Sequence, residues 1–203
     1  SSGNIYVAGG TGGGLDGNNN TVSSTCSMWC SKDIFVVKYY DNGTKQWTKQ
    51  FGSTSGEQAN GVANDSSGNF YLTGNTSGGL DGNTNSGSSD IFLVKYYDNG
   101  TKQWTKQLGT SSWDVGNEVT VDSSGNVYVT GYTQGGLDGT NAGNSDLFVV
   151  KYNSSGTKQW TKQLGTSSND YAYGVATDSS GNIYVTGTTE GGLDGNSHAA
   201  ADS

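Results

Sequence analysis

Residues 122–131 read Asp-Ser-Ser-Gly-Asn-Val-Tyr-Val-Thr-Gly. The same text returns at 65–74 as Asp-Ser-Ser-Gly-Asn-Phe-Tyr-Leu-Thr-Gly and at 178–187 as Asp-Ser-Ser-Gly-Asn-Ile-Tyr-Val-Thr-Gly. Each copy couples a turn to a strand. Asp and Ser bond back to their own backbone and Gly admits a positive φ, whereas Val-Tyr-Val is the β-branched and aromatic text of a pleated surface. The copies begin at Asp65, Asp122 and Asp178, a period of about 56 residues, and a Ser-Gly-Asn tail opens the chain at Ser2. That period marks one supersecondary unit used repeatedly.

Three further strands follow within the unit. Asp-Leu-Phe-Val-Val-Lys-Tyr (146–152) carries an unbroken apolar run, which predicts a strand buried on both faces. Thr-Lys-Gln-Trp-Thr-Lys-Gln-Leu (157–164) alternates, with Lys158, Trp160, Lys162 and Leu164 on one side. Tyr-Ala-Tyr-Gly-Val-Ala-Thr (171–177) is rich in small residues that let sheets approach. Asp-Asn-Gly at 41–43 and 98–100 and Ser-Ser-Gly at 154–156 read as tight hairpin turns. Four antiparallel strands per unit predict an all-β fold of β-propeller blades, with about three and a half repeats in the chain.

The repeat divides the chain at 1–64, 65–121, 122–177 and 178–203, the last holding only the start of a unit. Leu-Asp-Gly recurs with its Asp at 16, 81, 138 and 194. The longer first interval places an insertion at about 18–32, which holds Cys26 and Cys30. Three blades fall short of the ~4–8 of a closed ring. Closure is therefore expected to draw on other copies of the chain or on the rest of a longer one. The chain opens on Ser1 within a repeat, which leads to the same expectation.

Composition sets further bounds. Of 203 residues 34 are Gly, none is Pro, and aromatics make up 11%. The formal charge is −8, with 18 acidic residues against 10 basic ones, all lysine. Such a chain repels phosphate backbones, so no nucleic-acid partner is expected. No apolar stretch approaches the ~20 residues of a membrane span.

The combination of Asp-Ser-Ser-Gly-Asn-Ile-Tyr-Val-Thr-Gly (178–187), Asp-Leu-Phe-Val-Val-Lys-Tyr (146–152) and Gly-Thr-Lys-Gln-Trp-Thr-Lys-Gln-Leu-Gly (156–165) resembles the bacterial β-propeller repeat known as SBBP. The resemblance spans essentially the whole chain apart from the insertion. It implies a propeller on a secreted or cell-surface bacterial protein, and it brings no catalytic residues with it.

Four sets of residues are candidates for chemistry. The first is the Gly-Gly-Leu-Asp-Gly-Asn loop, whose oxygen ligands at alternating positions suit Ca²⁺. The sets are Asp16, Asn18, Asn20 and Asp33; Asp81, Asn83, Asn85 and Asp90; Asp138, Asn141 and Asp146; and Asp194, Asn196 and Asp202. The competing reading is of Asx turns with no cofactor. The second is Cys26 and Cys30, too few ligands for zinc and one residue too far apart for a redox pair, which in an exported protein read as a small disulfide loop. It would present Met28 and Trp29 outward as a binding loop. The third is Trp47, Trp104 and Trp160, read as inter-blade core, with sugar stacking as the alternative. The fourth is His198, which has no Gly-x-Ser-x-Gly elbow to serve.

Every acidic residue of the loops repeats with the unit, as a structural residue would, and the Cys insertion is the one departure noted. The chain is accordingly expected to be no enzyme. A structural or assembly scaffold is the first reading. A lectin-like or adhesin-like module for glycans or surface proteins is the alternative, and a glycan-processing enzyme the distant one.

Overall fold

The computed structural model describes residues 3–21 and 32–197. Cys26, Met28, Trp29, Cys30, His198 and Asp202 lie outside the described residues. Among the described residues thirteen strands account for nearly all the regular structure. They are β1 (Ile5–Thr11), β2 (Asp33–Tyr39), β3 (Lys45–Phe51), β4 (Glu57–Asn64), β5 (Phe70–Thr76), β6 (Asp90–Tyr96), β7 (Lys102–Leu108), β8 (Asp114–Val121), β9 (Val127–Thr133), β10 (Asp146–Tyr152), β11 (Lys158–Leu164), β12 (Asp170–Thr177) and β13 (Ile183–Thr189). The chain is all-β, and its sheets are propeller blades.

Every pairing between named strands is antiparallel between sequence neighbours. The sheets run β1-β2-β3, β4-β5-β6-β7, β8-β9-β10-β11 and β12-β13. They are cut one strand earlier than the textual repeat. β4, β8 and β12, which the sequence reading placed last in the units ending at 64, 121 and 177, instead open the next sheet. Periodicity fixes the length of a unit but not its phase, and the chain crosses to the next blade through 52–56, 109–113 and 165–169.

The three opening strands pack against one another as the inner row. Each carries a bulge, at Asn60, Asn117 and Tyr173. Two of these residues staple the row, with Asn60 Nδ2 donating to Gly116 O at 2.9 Å and Asn117 Nδ2 to Ala172 O at 2.8 Å. Small residues let these strands close in: a Cβ on Gly61 would lie 2.9 Å from Glu118 Cα.

Apolar layers fill the gaps between blades, and the middle strands show how. In β6, Phe92 and Val94 join Ile34, Val36, Phe70 and Leu72 between the first and second sheets. Ile91 and Leu93 of the same strand join Val127, Val129 and Phe148 between the second and third. The unbroken apolar run is thus a strand with both faces in a core. Trp47 packs over the Gly100 turn of the second sheet, and Trp104 over the Gly156 turn of the third. Lys38 reaches across the first gap to Asp98 at 2.5 Å, and Lys95 across the second to Ser154 O at 3.3 Å.

Candidate functional site

Among the described residues, the blade-to-blade crossings and the loops between the second and third strands lie at one end of the sheets. The Leu-Asp-Gly loops are there. Asp16, Asp81 and Asp194 take the left-handed conformation, at φ 50, 51 and 55°. Asp81 is held by Lys102 and Thr105 and Asp16 by Lys45 and Thr48, while Asp138 meets Lys162 at 3.4 Å. Asn18, Asn83 and Asn196 each turn Nδ2 back onto the carbonyl of the preceding Leu, at 2.7–3.0 Å. Asn85 donates to Ser77 O and Gly87 O, and Asn141 to Gly143 O. Asn20 occupies the first loop.

The carboxylates that begin the third strand of each blade sit elsewhere, under the loops. Asp33, Asp90 and Asp146 are fully buried or nearly so. Asp33 accepts Thr21 N, Thr21 Oγ1 and Gln50 Nε2. Asp90 accepts Ser86 N and Gln107 Nε2, and Asp146 accepts Ala142 N and Gln163 Nε2. The residues proposed from the sequence as one calcium set therefore divide between two places, the outer strand and the buried loop base. Among the described residues no three acidic, histidine or cysteine groups come together.

The structure brings together a different group of residues at this end. A cleft of about 380 Å³ is lined by Lys32, Gly56, Glu57, Gln58, Asn75, Ser77 and Trp113. Its walls are fixed by backbone bonds, Glu57 N to Lys32 O at 2.8 Å, Ser77 N to Gly56 O at 2.9 Å and Gln134 N to Trp113 O at 2.8 Å. Trp113 is 47% exposed. Opposite it Gln58 uses Nε2 on Ala59 O, and Asn75 uses Nδ2 on Ser89 Oγ. Asn75 Oδ1 and Ser77 Oγ accept no hydrogen bond among the described residues, whereas the Gln58 amide oxygen lies against Gly10 of β1.

Beneath them Glu57 is buried, with its oxygens committed to Ser53 N, Ser53 Oγ and Thr76 Oγ1. Burial holds its carboxyl above the ordinary value of 4.5.

Sequence reasoning missed this cleft, although a signal for it exists. Aligned on the repeat, Lys32 corresponds to Ser89 and Ser145, and Gly56 to Trp113 and Asn169. Gln58 corresponds to Val115 and Tyr171, Asn75 to Tyr132 and Thr188, and Ser77 to Gln134 and Glu190. The Cys insertion is thus not the one departure from regularity. A second departure is scattered over five positions, and folding gathers them. One blade on, Tyr132 fills its position and lies edge-to-face with Tyr171 at 4.9 Å, where Asn75 leaves space. Residues 22–31 join the described chain at Lys32, in the wall of this cleft.

Comparison with known proteins agrees with the blades. The family model described as a β-propeller repeat, SBBP, matches residues 46–81, 103–138 and 159–194. The chain is 30% identical over 143 residues to the regulatory protein FlaEY of Caulobacter vibrioides, covering 63% of this chain and 15% of that protein. It is 34% identical over 122 residues to an uncharacterised WD repeat-containing protein of Acanthamoeba polyphaga mimivirus, covering 51% of this chain and 9% of that one. The chain therefore spans a small part of either relative. A crystal structure of a protein of unknown function from Bacteroides caccae is similar at a TM-score of 0.43 and 12% identity, over 82% of this chain and 57% of that one.

Proposed function

Because the chain belongs to the SBBP β-propeller repeat family, we propose that it is a binding module without catalytic activity, a stiff row of blades that presents the cleft at Trp113 on a secreted or cell-surface bacterial protein. One observation carries the reading. In a chain of near-identical units, five positions that differ from blade to blade meet at one cleft. Residues kept alike in every blade maintain the scaffold, and those that differ where chain segments converge suit recognition. The extracellular placement rests on the family resemblance alone.

Catalysis fits the cleft poorly. Hydrolysis of a glycosidic bond calls for two carboxyl groups flanking the substrate. The cleft lining includes one carboxylate, Glu57, and its oxygens are occupied by Ser53 and Thr76. We expect Gly56→Trp and Asn75→Tyr, which install the residues of a sibling blade, to abolish binding to whichever ligands emerge from a glycan array or a displayed peptide library. Binding that survives both substitutions would overturn the assignment.

A scaffold role accompanies this one. Ile5 and Val7 of β1 are 47% and 46% exposed, whereas their counterparts Phe70, Leu72, Val127 and Val129 are fully buried. We read these faces as covered by further blades, from a second copy or from the rest of a longer chain. Light scattering on the 203-residue chain tests the first source, and a strictly monomeric species would remove it.

A further inference from the structure

We infer that the cleft lined by Trp113, Gln58, Asn75, Ser77 and Lys32 takes a saccharide. This deepens the binding reading above and rests on it. A pyranose ring has one face of C–H groups and an equatorial edge of hydroxyls, so a site for it pairs an aromatic platform with planar polar side chains. The cleft supplies both. Trp113 offers a half-exposed indole on a loop pinned by its own carbonyl and by the Ser89–Trp113 bridge. The lining also holds Asn75 Oδ1 and Ser77 Oγ, which have no hydrogen-bond partner as acceptors among the described residues, at β5 and the start of the following loop, with Gln58 beside them on β4. Carbonyl oxygens accept from sugar hydroxyls, and the Ser77 hydroxyl and the Lys32 ammonium donate to them. A volume of about 380 Å³ falls within the range of small-ligand sites.

The same chemistry disfavours the other classes. A polyanion would meet one lysine in the lining of a chain of net charge −8. A peptide anchor seeks a dry apolar pocket, and here the single large apolar surface is the indole, surrounded by amide, hydroxyl and ammonium groups. Of the tryptophans that the sequence offered as sugar platforms, Trp47 and Trp104 are packed over the turns of neighbouring blades and Trp160 lies beside Tyr128 of its own sheet. Trp113 holds the exposed position.

The test is an array of oligomers of glucose, galactose, mannose, N-acetylhexosamines and uronic acids, probed with the full chain and followed by titration of the hits against tryptophan fluorescence. Wild type is expected to bind at least one saccharide class. Trp113→Ala should weaken that binding on the order of tenfold or more, Trp113→Phe should retain part of it, and Asn75→Tyr should abolish it. Trp113 is only half-buried, so thermal melts of Trp113→Ala should stay close to wild type and separate loss of binding from loss of fold. Saccharide binding that is unchanged in Trp113→Ala would overturn the inference. A silent array beside displayed peptides that bind in a Trp113-dependent manner would overturn the saccharide class and leave the cleft a binding site. Silence on both would overturn the binding reading as well.

Discussion

The single residue that best explains why the text repeats so closely is the glycine after each outer strand. At Gly109 a Cβ would lie 2.1 Å from Asp90 Oδ1, and Gly165 stands in the same relation to Asp146. The buried carboxylate occupies the space a side chain would need, and from there it holds Ser86 N and Gln107 Nε2. Gly109→Ala is therefore expected to push Asp90 off its partners and to destabilise the fold by about 2–3 kcal/mol in urea denaturation. A change within about 0.5 kcal/mol would show that the loop base yields easily. This glycine was legible in the text as a recurring letter, but its reason was not. The reason is a contact between residues of two strands and the loop joining them to the next blade, and no local spacing encodes it. The positions of Asp16 and Asp81 were legible too. Their partners Lys45 and Lys102 were visible only as members of a strand far along the chain.

At the scale of the element, three identical six-residue stretches meet different surroundings. Lys-Gln-Trp-Thr-Lys-Gln opens β3, β7 and β11 alike. Trp104 is clamped between two sheets, against Gly156 and the layer around Val127 and Phe148. Trp160 meets Tyr128 of its own sheet, with ring centroids 6.2 Å apart. Trp104→Ala should cost about 3 kcal/mol and Trp160→Ala about 1 kcal/mol in the 203-residue chain, read from chemical denaturation midpoints. Equal losses would mean that the inter-blade layer is not what these rings stabilise. Strand identity was read correctly from alternation and turn text, because both are local. Blade membership was not, because β4 and β12 carry the same small-residue pattern whichever sheet they enter. The strict alternation of the third strand also breaks in the structure, where a bulge shifts the register between Lys151 and Tyr152 opposite β11.

For the whole molecule, the acidic surplus has a definite sign in its effect on stability. Burial holds Glu57 and Asp114 above their ordinary values of 4.5 and 3.8. The folded state therefore binds those protons before the unfolded chain does, and stability rises as pH falls from neutral towards that range. Asp98 is held below 3.8, first by its bond from Lys38 and then by that from Tyr6, which together outweigh burial. Its contribution is present above the ordinary carboxylate range and is lost as pH falls below it. Thermal melts across pH should show a maximum on the mildly acid side, and Glu57→Gln should flatten its upper arm. A maximum at or above neutral pH would count against this assignment. In our reading the Leu-Asp-Gly loops rest on lysine and threonine rather than calcium, so the same melts run with chelator should coincide with those run without it. A midpoint lowered by chelator would establish the cation instead. The one-strand offset between text and sheet has a consequence for how such chains change length. A unit copied by recombination between the near-identical segments brings the last three strands of one sheet and the first of the next. Every duplicate thus arrives interlocked with both neighbours, and a gene can gain or lose a blade without leaving a sheet half built.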